Sequence, residues 1–378
     1  KVHNNYFKNI TGSTKQTANG ESFPAFGPNE IGIAVAITHT STNVHSLTVG
    51  THTVVPSSNP YPKGNKFEDC NRGVYAISCK NVYAKANTFS ATVTSTVPVY
   101  GVNAYYYYKN QSAIWVNALA DDQTLSYNYI RNFSSGIYSS HTFSTSSRRI
   151  NVSKNDISAP SATGFCKQAI QIAQVGGVNA NSADYKIEDN AIVKVYNGIL
   201  AGGVPNCIFI RNNSVSVEPK TKLLGTTSTA INTAIRVMNS NYAMIQANII
   251  SNGGAVPTTA TTANYITGIW VSGSTNTKVE CNNAYHLGRG FVFGGSCGNS
   301  SWKVNTMSDS YRGLEMQLAA VIGNQGSGVG TPSLCANTWT TTTEETFVLG
   351  TNPNPTSQLF ILNNATGVPK TLPTANYP

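Results

Sequence analysis

Charged side chains are scarce in this chain. Asp, Glu, Lys and Arg make up 11% of 378 residues, less than half the ~25% of an ordinary soluble domain. That excludes a long helical surface, because helices draw their solvent face from Glu, Lys, Arg and Gln. Acids are the scarcest group, 16 against 25 Lys and Arg, which leaves a formal charge of +9. The cations are dispersed, with no run longer than Arg148-Arg149. A nucleic-acid partner needs a clustered basic face with interleaved aromatics and is not expected. A diffuse positive field suits an anionic polysaccharide or a negatively charged cell surface.

Long apolar runs are also missing. None reaches the ~18 residues of a membrane-spanning helix, and residues 1–9 lack the apolar stretch of a signal peptide. Seven cysteines (Cys70, Cys79, Cys166, Cys207, Cys281, Cys297, Cys335) form no CxxC pair and have no His at zinc-ligand spacing, so neither a metal nor a cofactor is expected. An odd count leaves at least one thiol unpaired within the chain. Cys70 with Cys79, or Cys281 with Cys297, could bridge in an oxidising compartment; the alternative is that they are small buried hydrophobes.

What is present is β-forming and turn-forming. Hydrophobic residues are 40% of the chain, enough to exclude disorder, and they fall in short runs separated by Asn or Gly. Thr, Val, Ile and Tyr favour strands; Asn and Gly favour turns. An internal repeat emerges when Asn followed two positions later by an apolar residue is taken as the anchor. The anchors are Asn5, Asn65, Asn87, Asn128, Asn155, Asn190, Asn213, Asn248, Asn282 and Asn305. Two residues on stand Phe7, Phe67, Phe89, Ile130, Ile157, Ile192, Val215, Ile250, Ala284 and Met307. Three residues before stand Val2, Pro62, Ala84, Leu125, Val152, Ile187, Ile210, Ile245, Val279 and Trp302, beside a polar column one place on. This period-two alternation predicts strands with one buried face. Ile130, Ile157, Ile192 and Val215 are expected in one buried ladder.

A glycine recurs eight residues after Asn65, Asn128, Asn190, Asn282 and Asn305, opening second strands such as Gly73-Val74-Tyr75 and Gly136-Ile137-Tyr138. The shortest anchor spacing, 22 or 23 residues, fits one coil of two or three short strands; longer spacings are a coil plus loops. The wide gap from Asn5 to Asn65 is expected to conceal a further coil around Gly32-Ile33-Ala34-Val35. Asn suits the anchor because it tolerates the left-handed conformation of a tight corner, and because stacked Asn side chains can hydrogen-bond along a stack.

On these columns residues 1–325 resemble the right-handed parallel β-helix repeat family, the architecture of pectate lyases, polygalacturonases and phage tailspikes. The coil pattern is seen in Ile187-Glu188-Asp189-Asn190-Ala191-Ile192 and Val279-Glu280-Cys281-Asn282. The Thr-, Ser- and Asn-rich loops and the segment Asn337-Thr338-Trp339-Thr340-Thr341 look like secreted or surface-anchored proteins of Bacteroidota-type bacteria. The expected fold is therefore an all-β, right-handed parallel β-helix of coils over 1–330 with a short C-terminal β cap over 331–378. Because Asn5 lies so near the first residue, a longer parent chain is expected.

Enzymes of the resembled family rely on Asp pairs, or on acids holding Ca²⁺. The family's polygalacturonase patterns do not occur as a set. Asp121-Asp122 is expected in a loop turn, and Glu68-Asp69 and Glu188-Asp189 at coil corners, solvated or capping amides. The six His are far apart and compose no Ser-His-Asp constellation. Aromatic content is the better lead: Tyr105, Tyr106, Tyr107 and Tyr108, with Lys109 beside them and Tyr127, Tyr129 and Tyr138 following, offer ring area for sugars or protein. Adjacent strand residues alternate, so half of that Tyr run should face outward; an aromatic stack covering a loop is the alternative. The reading is an extracellular or cell-surface protein with a structural or adhesive role, its partner a polysaccharide or surface protein. A lyase or glycoside hydrolase of the same fold and a self-associating filament subunit are the rivals.

Overall fold

The computed structural model describes residues 2, 4–8, 14–16, 22–24, 33–38, 46–50, 64–77, 79, 81–92, 112–117, 122–142, 149–159, 166–175, 184–204, 208–218, 232–253, 266–323, 325, 337–340, 344–348, 359–362 and 369–372. Among them there is no helix. Each coil runs through three short strands. A lead-in strand ends just before the anchor Asn, an anchor strand follows it, and a third strand, here the glycine strand, opens on Gly or another small residue. Strands of each kind pair in parallel with their counterparts in adjacent coils, and the chain is a right-handed parallel β-helix.

The chain divides into two units, 1–200 with 220–228, and 201–219 with 229–378. In the first, lead-in strands stack from Ser46–Gly50 through Asn81–Lys85, Asp122–Ser126 and Arg149–Ser153 to Asp184–Glu188. Its glycine strands stack from Ile33–Thr38 through Arg72–Ile77, Ser112–Asn117 and Ser135–Thr142 to Gln168–Val175. In the second, anchor strands stack from Ser214–Val217 through Ile249–Asn252, Asn283–Tyr285 and Thr306–Ser308 to Thr338–Thr340. The parallel pairing there extends to Glu344–Val348, beyond which Leu359–Leu362 and Pro369–Leu372 form an antiparallel hairpin.

The columns read from the sequence are the core. Phe7, Phe67, Phe89, Ile130, Ile157 and Ile192 are in register in the first unit, and from Phe67 onward all are buried. Phe7 stacks on Phe67, and Phe67 on Phe89, with centroids 4.9 and 4.6 Å apart. In the second unit Val215, Ile250, Ala284, Met307 and Trp339 continue the same role. Truncating Ile192 to Ala should therefore cost about 2–5 kcal/mol. A denaturation midpoint close to wild type would show that the site collapses around the missing atoms or was never filled.

Two details of the repeat are corrected. The residue preceding Ala84 in the lead-in column is Val49, which pairs with it and with Val2; Pro62 lies outside the described residues. Among the described residues the long Asn5 to Asn65 gap holds no further coil. Ile33–Thr38 and Ser46–Gly50 are the glycine and lead-in strands of the single coil that begins at Asn5, and an antiparallel hairpin, Thr14–Gln16 with Ser22–Pro24, is inserted before them.

The Asn anchors form the ladder, but at every one of the ten anchors except Asn65, which follows Gly64, the left-handed residue is the one before it. Asn4, Ala86, Tyr127, Lys154, Asp189, Asn212, Ala247, Cys281 and Val304 have φ between 53° and 58°, whereas no anchor does. The corner is turned by its neighbour, which frees the Asn side chain to point inward and pair. Asn128 donates from its backbone N–H and from Nδ2 to Asn155 Oδ1, both at 3.0 Å, and its second Nδ2 proton goes to Ala84 O at 2.9 Å. The same pattern joins Asn65, Asn87, Asn128, Asn155 and Asn190 in the first unit. It joins Asn213, Asn248, Asn282, Asn305 and an eleventh anchor, Asn337, in the second. Buried amides are affordable only when fully paired, and these are.

Glycine opens the third strand because the chain bends there against the anchor strand. A Cβ at Gly73 would lie 2.4 Å from a Phe89 ring carbon, and one at Gly136 2.5 Å from the Ala169 carbonyl. Cys70, Cys79, Cys166 and Cys297 are buried free thiols and Cys281 is an exposed one, so neither proposed bridge forms. Burial pushes the Cys79 thiol up to about 11 and Cys166 up to about 12.

Candidate functional site

In a glycine strand the inward residues are aliphatic, Val74, Ile114, Ile137 and Ile170, and the residue after each points to the outer face. In the first unit that outer column is Tyr75, Trp115, Tyr138 and Gln171. In-register parallel strands ~4.8 Å apart bring such rings face to face. Trp115 and Tyr138 stack with centroids 4.0 Å apart and planes 23° apart. The Arg72 guanidinium lies 4.7 Å from the Tyr75 ring centroid and 4.6 Å from that of Trp115, a cation over two π faces. Burial lowers the Arg72 pKa, though a guanidinium stays charged. Its Nε has no hydrogen-bond partner among the described residues. Trp115 and Tyr138 remain half-buried.

Among the described residues of the Tyr-rich segment, Tyr127, Tyr129 and Tyr138 lie on different parts of the coil. Tyr105, Tyr106, Tyr107, Tyr108 and Lys109 lie outside the described residues. Tyr127 turns a corner, with Lys154 Nζ 5.4 Å from its ring. Tyr129 sits on the anchor strands under the Arg131 guanidinium, 3.4 Å away, and Arg131 is ion-paired with Asp156 at 2.5 Å. Of these three described tyrosines, Tyr138 joins the stack. Sequence reading missed Arg72, Tyr75 and Trp115 as its companions. The glycine offset held the signal, because the residue two places after each opening Gly or Ala is the outward one.

Several acids among the described residues are engaged. Glu68 accepts from Tyr6 and pairs with Lys8 and Lys66, each at 2.9 Å, which holds its carboxyl down at about 2. Asp69 turns a corner and caps Thr92, accepting from its N–H at 2.6 Å and its hydroxyl at 2.8 Å. Asp122, expected in a loop, begins a lead-in strand instead and accepts from Arg149 Nε and Nη2 at 3.1 Å each. Asp121 lies outside the described residues. In the second unit Glu315 is buried between Arg289 at 3.2 Å and Arg312 at 2.9 Å. His286 and Asp309 approach to 3.4 Å at the surface. Among the described residues no three His, Cys, Asp or Glu side chains converge as a metal site.

Fold and surface define a parallel β-helix carrying an aromatic and cationic column on one lateral face. Comparison with protein-family models, with curated proteins and with solved structures finds no match to this chain.

Proposed function

We propose that this is an extracellular or cell-surface β-helix of the pectate-lyase-like type with an adhesive or structural role, which binds polysaccharide through the outer face of its first-unit glycine strands. The observation that carries this reading is the Arg72, Tyr75, Trp115 and Tyr138 column. A flat, half-buried ring beside a cation offers stacking area for a sugar with few rotors to freeze, together with attraction for an acidic chain. The rigid parallel stack supplies the length a surface protein needs, and its diffuse positive charge favours anionic polymers.

A polysaccharide lyase or hydrolase of this fold is the rival. A proton-donating carboxyl needs a raised pKa, and Glu68 has the opposite. Asp122 and Glu315 are each held by arginine.

Trp115→Leu keeps apolar cover over the strand but removes the flat ring. It should weaken binding of the preferred polysaccharide on a glycan array about tenfold, while the melting midpoint moves by only a few degrees. Unchanged binding would discard this face as the site. Release of reducing ends or unsaturated uronides at catalytic rates would favour the enzyme instead.

A further inference from the structure

We draw no further inference here: the strongest candidate, the exposed corner patch of Ala247, Cys281 and Val304 beside Ile249 in the second unit, offers one thiol and a few apolar side chains, and nothing in the structure shows what covers them.

Discussion

Replacing Asn155 with Ala should lower the unfolding free energy by about 3–6 kcal/mol. Asn155 Oδ1 accepts both the backbone N–H and Nδ2 of Asn128, and its own Nδ2 donates to Leu125 O at 2.9 Å and to Asn190 Oδ1 at 2.9 Å. Truncation thus takes one bond from each of four buried groups: Asn190 Oδ1 keeps the Asn155 N–H and Asn128 Nδ2 keeps Ala84 O, while the Asn128 N–H and Leu125 O lose their Asn155 partner outright. Each stranded group carries a desolvation penalty of roughly 1–3 kcal/mol, reduced where water reaches the gap. Equilibrium denaturation followed by circular dichroism measures it. A loss below about 1 kcal/mol would mean that water substitutes for the side chain and that the ladder is decoration.

The second large effect is expected at Glu315. Its carboxylate is buried, accepts from Arg289 Nη1 and Arg312 Nη1, and receives Gln317 Nε2 as well. Arg289 is buried with it and donates from Nε to Thr267 Oγ1 at 3.0 Å. Glu315→Ala leaves two guanidinium groups facing each other without their counterion, so a loss of about 3–5 kcal/mol is expected. Replacing Arg289, Arg312 and Glu315 together with apolar residues of similar volume should be far milder, because the desolvation of three charges disappears along with their attraction. A triple variant as damaged as Glu315→Ala would show that the side chains matter for shape and not for charge.

The coil was legible because its two strongest signals are local. The Asn anchor and the apolar residue two places on are separated by one residue, and no loop comes between them. The lead-in column was legible for the same reason wherever the strand runs straight into its anchor, and it failed at Pro62, where residues 51–63 stand between Val49 and the corner. The left-handed residue could not be recognised by type: Ala86, Tyr127, Lys154, Cys281 and Val304 all adopt it, and none is a turn former. There the coil imposes a conformation that local preference opposes.

The candidate site was much less legible. Arg72, Tyr75, Trp115 and Tyr138 come from three strands at unequal spacing, Trp115 lying 40 residues after Tyr75 and Tyr138 23 after Trp115, and what unites them is register across those strands. Loops of unequal length hide that register from any fixed spacing. Among the described residues the tyrosine-rich stretch 105–138 shares Tyr138 with this column, because the column runs across strands and not along the chain. The lead-in strands are the same case: Tyr83 and Lys186 share a face because Ala84, Leu125, Val152 and Ile187 are stacked behind it.

The Asn ladder also has a direction. In every rung Nδ2 of one amide donates to Oδ1 of the amide in the following coil, from Asn65 to Asn190 and from Asn213 to Asn337. Within each unit the side-chain dipoles are aligned head to tail, and each bond polarises the next by about 10–30%. A rung in the middle is strengthened from both sides and a terminal rung from one. The ladder is thus a one-way wire of amides, in which identical residues hold unequal shares of the stability according to how many coils lie on either side.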